Sequence, residues 1–206
     1  MSNYHFFGCS WTAWSKTNYV EELAKLTPEH NFYNWAQSGA SIALSTYLLD
    51  AVKHRYTGDN NYFIFQATNP YRVSWWNTID FRSINQLQPN YFKLPALDGK
   101  YWQGFSAANC KDKAFGKYHK QYYMTNTNTN MNHEYKTYCK FAKDNSDYIF
   151  WQQKQQNKVF DNMICVQDLL GEEKHNKYLS RDGWHFARPG SKWQAQWIKK
   201  ELKIGI

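Results

Sequence analysis

Three short apolar runs, at Tyr4 to Phe7, Asn31 to Trp35 and Asn61 to Thr68, alternate with two stretches of helical period. Apolar runs of this length read as strands buried on both faces. Between the first two, Asn18 and Glu21 make a capping pair, Val20, Leu23 and Ala24 share one helical face, and Pro28 closes the helix. Between the second and third, Ser41 is placed to cap a helix in which Leu44, Leu48, Ala51 and Val52 recur at i, i+4, i+7 and i+8. Strands that alternate with helices make βαβ units, and βαβ units make a parallel sheet. The expected fold is therefore α/β: a flavodoxin-like, three-layer α/β/α arrangement around a central parallel sheet.

The 206 residues are enough for one such domain with a real core, and 42% hydrophobic content with mixed charges argues against disorder. Aromatic residues make up 19% of the chain, which fits either an aromatic core or surfaces that stack flat partners such as sugars or bases. The formal charge of +8 favours anionic surroundings. The basic residues are scattered rather than blocked, however, and no zinc-ligand spacing, RNA-binding signature or helix-turn-helix pattern supports a nucleic-acid role.

Cys9, Cys110, Cys139 and Cys165 lie far apart with no CxxC and read as free thiols of a reducing compartment, with a single disulfide as the alternative. No run of about 20 apolar residues exists to span a membrane. Phe6-Phe7-Gly8-Cys9 has a superficial likeness to a lipoprotein cleavage site, but it lies too near the start and has no basic or apolar leader before it. The expected location is cytoplasmic.

From Tyr71 to about Asn130 no helical period stands out. Trp75-Trp76, Pro89, Pro95 and an Asp98-Gly99 turn between apolar runs read as a hairpin, and Thr125 to Asn130 as a surface loop. This stretch, about 71–130, is expected to be an insertion after the third strand, serving as a lid or binding platform. Helical order returns from His133 to about Gln156, with Tyr135, Tyr138, Cys139, Ala142 and Ile149 on one face. Met163 to Val166 reads as a fourth strand. After Pro189-Gly190, Ser191 is the expected cap of a last helix that turns Ala195, Ile198 and Leu202 inward.

The first strand ends at Gly8, and Ser10 follows two residues on. In open α/β sheets the carboxyl edge of the strands is where ligands bind. Three more segments fall on that edge: Gln37-Ser38-Gly39, Thr68-Asn69 and Asp182-Gly183-Trp184-His185. A serine there is either a nucleophile or a helix cap. His5 lies within the first strand and reads as a satisfied core or edge histidine. Cys9 points opposite to its neighbours and is expected to be buried.

In order and spacing these four blocks resemble the SGNH (GDSL-type) hydrolase family, over about residues 4–69 and 160–202. The resemblance implies a nucleophile at Ser10, an Asp182–His185 pair completing a Ser-His-Asp triad, and an oxyanion hole from the N–H groups of Ser10 and Gly39 and the side-chain amide of Asn69. Two positions depart from the pattern: Cys9 stands where an Asp usually precedes the serine, and Pro70 where an Asp often follows the asparagine. Gly-Cys-Ser with Pro-x-Arg after the asparagine looks like a subgroup found in phage and bacterial genomes, which implies phage origin and residence in a virion as one setting. Arg72 would then line the site and hold an anionic or polar substrate group.

The chemistry follows from ordinary reactivity. A serine hydroxyl needs an adjacent base. His185 would take its proton and return it to the leaving alkoxide, while Asp182 holds the other ring nitrogen. No cofactor and no metal are required. The expected activity is that of a serine esterase acting through an acyl-enzyme on small O-acetyl-type esters; acylated carbohydrate is the substrate implied by the family resemblance together with the aromatic surround of Trp11, Trp75, Trp76 and Trp184. Two rivals are a non-catalytic, virion-associated module that grips glycans or neighbouring subunits, and a nucleic-acid binder.

Overall fold

The computed structural model describes residues 1–13, 18–38, 40–68, 133–152 and 163–204, with backbone alone for 73–77, 91–93, 101–105 and 128–132. Five strands run in the order expected of a doubly wound sheet: β2 (Asn31–Asn34), β1 (Asn3–Phe7), β3 (Asn61–Ala67), β7 (Tyr148–Trp151) and β8 (Ile164–Cys165). A sixth, β5 (Tyr91–Lys93), joins the outer edge of β2, and every pairing in this sheet is parallel. Between β1 and β2 lies α2 (Tyr19–Leu26), and between β2 and β3 lies α3 (Ile42–Arg55). The chain steps outward from β1 to β2 and then back across β1 to β3. Right-handed crossovers therefore put α2 and α3 on opposite faces. α2 packs on the last helix, α7 (Arg188–Glu201), and α3 on α4 (Asn128–Asn145). The layering is the expected α/β/α.

The local signals act as their chemistry dictates. The Asn18 side chain accepts from the Glu21 N–H at 2.8 Å, and Ser41 accepts from the Leu44 N–H at 3.2 Å. Val20, Leu23, Leu44, Leu48 and Val52 are buried, as are Phe6, Phe7, Phe32, Ile64, Phe65 and Phe150 of the strands. Among the described residues no helix is long and apolar enough to cross a membrane. Cys9, Cys139 and Cys165 are buried with no disulfide joining them to one another, and burial pushes the Cys139 thiol up to about 12. Cys110 lies outside the described residues.

Three expectations need correction. The helix read from His133 to Gln156 stops at Asn145, and Tyr148-Ile149-Phe150-Trp151 forms β7, so Ile149 belongs to a strand. The helical period ran on by coincidence into an apolar run that the sheet claims as strand. The last helix begins at Arg188, with Pro189 in its first turn, so Ser191 is a buried residue of the helix and not its cap. The two apolar runs that flank Asp98-Gly99 do not pair with each other. β5 adds to the main sheet, while β6 (Tyr101–Phe105) pairs antiparallel with β4 (Val73–Asn77), Val73 opposite Phe105 and Asn77 opposite Tyr101. Asp98-Gly99 itself, and most of 71–130, lie outside the described residues. Two short helices after β8, α5 (Val166–Leu170) and α6 (Glu172–Tyr178), carry too few periodic positions to stand out in the sequence.

Gly8 is the hinge at the end of β1. Its φ is +153°, and a Cβ there would stand 2.6 Å from Gln66 Oε1 and 2.9 Å from Gln66 Cβ. Gly8→Ala is expected to cost more than about 2 kcal/mol, because both the backbone conformation and the space exclude a side chain. Urea denaturation would register this as a lower midpoint with an unchanged slope; an unshifted midpoint would mean that the turn relaxes freely.

Candidate active site

Ser10 opens the four-residue helix α1 (Ser10–Ala13) directly beyond β1, between the tips of β2 and β3. This is the switch point of the sheet, where strand order reverses and a crevice opens. One helical turn cannot hold itself. The Thr12 and Ala13 N–H groups bond the Cys9 carbonyl, at 3.0 and 2.9 Å. Ser10 is buried but for 6% of its surface, and Cys9 is buried, as expected.

The other half of the site hangs on a pinned loop. Leu179 and Phe186 form an antiparallel bridge, and the Ala187 N–H bonds the Tyr178 carbonyl at 2.7 Å, closing the base. Gly183, at φ +70°, takes the left-handed turn at the tip. Inside the loop the Asp182 carboxylate collects four donors. Its Oδ1 accepts from the Ser180 hydroxyl at 2.7 Å, the Trp184 N–H at 2.8 Å and the His185 N–H at 2.9 Å. Its Oδ2 accepts from His185 Nδ1 at 2.7 Å. Desolvation alone would raise the Asp182 carboxyl, but the hydrogen bonds from the His185 N–H and ring, the Trp184 N–H and the Ser180 hydroxyl outweigh it and hold the carboxyl well below the usual range. An ionised Asp182 thus assigns the proton of His185 to Nδ1, which leaves Nε2 as the basic nitrogen.

Trp11 joins the two halves. Its indole lies 5.7 Å from the His185 ring and 5.2 Å, edge-on, from Phe186. The residue after the candidate nucleophile is therefore in ring contact with the candidate base. Behind them His175 is buried, 6.0 Å from Trp11 and 5.3 Å from Phe186, and among the described residues neither of its ring nitrogens has a hydrogen-bond partner. Burial pulls its imidazole below the ordinary range. No hydrogen bond among the described residues joins the Ser10 hydroxyl to the His185 ring. Trp184 is 65% exposed beside His185, a flat apolar face with its backbone tied to Asp182.

Ser10, Trp11, Asp182, Trp184 and His185 are thus placed, while Gly39, Asn69 and Arg72 lie outside the described residues. Trp75 and Trp76 are described only as backbone of β4, opposite Gln103 and Trp102. Among the described residues, the buried atoms Gln37 Nε2 and Thr68 Oγ1, which lie just before the expected oxyanion positions, have no hydrogen-bond partner. Among the described residues no three His, Cys, Asp or Glu side chains converge as a metal site.

Sequence reasoning passed over Gln66, Asn34, Thr12 and Ser180, all bonded around the two halves of the site. Gln66 did leave a signal: a lone amide inside the apolar run Tyr62-Phe63-Ile64-Phe65 to Ala67 must have a buried partner.

Comparison with known proteins leaves the site to its own geometry: no protein-family model and no curated protein matches the chain.

Proposed function

We propose that this chain is a serine esterase of the SGNH type, removing small O-acetyl-type acyl groups from carbohydrate through an acyl-enzyme on Ser10. The observation that carries this reading is the 2.7 Å Asp182–His185 pair, with the His185 ring against Trp11, the residue after Ser10 in the short helix beyond β1. Ser10 attacks the ester carbonyl as His185 Nε2 takes its proton, and Asp182 stabilises the imidazolium. The same nitrogen protonates the departing sugar hydroxyl, and water then repeats the sequence to release the acid. The oxyanion would be met by the N–H groups of Ser10 and Gly39 and the amide of Asn69. Arg72 and the β4–β6 ribbon belong to the substrate side in this reading, with 71–130 as lid or platform.

Trp184 supplies the stacking face for the sugar, so Trp184→Ala is expected to raise KM for an acetylated oligosaccharide about tenfold while leaving p-nitrophenyl acetate turnover within twofold. Equal losses on both substrates would remove the sugar platform from the proposal. The reading as a whole is tested by a fluorophosphonate probe and peptide mapping. Label on Ser10, blocked by prior denaturation, is the expected result; no label, or label elsewhere, defeats it.

One observation favours the rival, non-catalytic reading: Ser10 and His185 are not hydrogen-bonded to each other. In unliganded enzymes catalytic hydrogen bonds are often long and tighten only around substrate. The labelling experiment separates the two, since a glycan-gripping module has no reason to activate one serine.

A further inference from the structure

The segment carrying Ser10 is clamped by side chains from the two neighbouring strands. Gln66 of β3 is 99% buried, and its Oε1 accepts from the Cys9 N–H at 3.3 Å and from the Thr12 hydroxyl at 3.0 Å. Its Nε2 donates to the Ala67 carbonyl at 3.2 Å and rests 3.6 Å from Cys9 Sγ. On the opposite side Asn34 of β2 donates to the Thr12 carbonyl at 2.7 Å, and its Oδ1 accepts from the Ala36 N–H at 3.1 Å. Tyr19 of α2 closes on the Thr12 hydroxyl at 3.0 Å. The bare Cα of Gly8 is what lets the chain settle onto the Gln66 amide.

The backbone before and after Ser10 is therefore fixed: at Cys9 through its N–H, and two residues on at Thr12 through both its hydroxyl and its carbonyl. With a one-turn helix too short to orient itself, these bonds set the direction in which the Ser10 Cα–Cβ bond leaves the backbone. We infer that Gln66 is a positioning residue for the nucleophile, acting through Cys9 and Thr12 to aim the Ser10 hydroxyl at His185. This inference rests on the esterase reading. It adds that the reactivity of Ser10 is set by an amide on β3, a strand that is distant in sequence and that the triad does not name. Gln66 touches neither substrate nor the reacting atoms.

The test measures kcat per titratable site. A fluorophosphonate first counts competent Ser10 residues in each variant, and p-nitrophenyl acetate turnover is then divided by that count. Misfolding lowers the count but not the rate per site, whereas mis-aiming lowers the rate per site. Gln66→Met keeps the side chain's volume and removes the acceptor for both donors. It is expected to lower kcat per site and the phosphonylation rate by about 10- to 100-fold, with KM changed less than about threefold. Gln66→Glu is expected to recover most of that loss. Burial keeps the new carboxyl largely neutral, so it still accepts from Cys9 and donates to Ala67.

Should Gln66→Met fail to fold, Thr12→Val deletes only the hydroxyl from the clamp and is expected to lower kcat per site three- to tenfold. Unchanged kcat per site in whichever variant folds overturns the inference while leaving the esterase reading intact. A wild-type chain that does not label at Ser10 removes the esterase reading, and this inference with it.

Discussion

Ser10→Ala is expected to lower kcat for p-nitrophenyl acetate by about 10⁴-fold or more, and His185→Ala by a similar factor, because the two act as one unit. The double variant should be hardly worse than either single one. Asp182→Asn is expected to lose about 10³- to 10⁴-fold. The reason lies in the crowd of donors around that carboxylate: the Ser180 hydroxyl, two backbone N–H groups and His185 Nδ1 all point at it. An asparagine can turn only one oxygen to them and must set its NH₂ against a donor. The imidazole would then be driven toward the other tautomer, with the proton on the nitrogen that should act as base. Circular dichroism and steady-state kinetics on the same preparations check both parts. Full turnover in Ser10→Ala would end the esterase proposal. Turnover near wild type in Asp182→Asn would reduce Asp182 to a loop-folding residue.

A second large effect is expected in acid, away from the site. His5 is inaccessible within β1, stacked 4.8 Å from Tyr33 and 5.2 Å from Phe63 and hydrogen-bonded at both nitrogens. Trp35 Nε1–H donates to its Nδ1 at 3.1 Å, so Nε2 carries the proton and faces Asn61 Oδ1 at 3.1 Å. Desolvation lowers this imidazole to about 4, against a smaller upward pull from Asn61. An unfolded chain takes up the proton as pH falls through about 6.5, whereas folded His5 resists it down to about 4.

Between those values the unfolded state binds more protons, so stability is lost as pH falls and levels off once folded His5 is protonated too. The gap is worth about 3 kcal/mol. The buried imidazole of His175 pulls in the same direction, so the His5 share is best taken by difference. His5→Phe keeps the stacking but orphans the Trp35 N–H, and is expected to be less stable than wild type at pH 7 by about 1–3 kcal/mol. That deficit should shrink or reverse by pH 4.5 in urea titrations. A deficit independent of pH would mean that His5 takes up its proton equally readily in the folded and the unfolded chain.

Much of the architecture was legible because its signals are local. A cap lies three residues from the N–H it satisfies, as at Asn18 and Ser41, and a buried face repeats every turn, as at Leu44, Leu48 and Val52. The Asp182–His185 pair was legible for the same reason, since three residues of loop suffice to bring carboxylate and imidazole together. Ser10 stood out because Gly8 ends an apolar run and a hydroxyl follows.

What failed to show were features in which distant segments compete. Tyr148 to Trp151 satisfies a helical period as well as a strand, and only the empty place beside β3 made it β7. The apolar runs around Asp98-Gly99 looked ready to pair, but the open edge of β2 took one and β4 the other.

By itself, then, the order of amino acids determined the alternation of strands and helices, and with it the rim where Ser10 and His185 belong. Tertiary structure alone decided what holds them there. Cys9 and Gln66 are 57 positions apart in the chain, and Trp11 and His185 farther still. Nothing in a local period can state which buried amide will answer which buried N–H. That pairing exists only once the sheet has stacked its strands side by side, when every polar group inside must find a partner or leave the fold less stable.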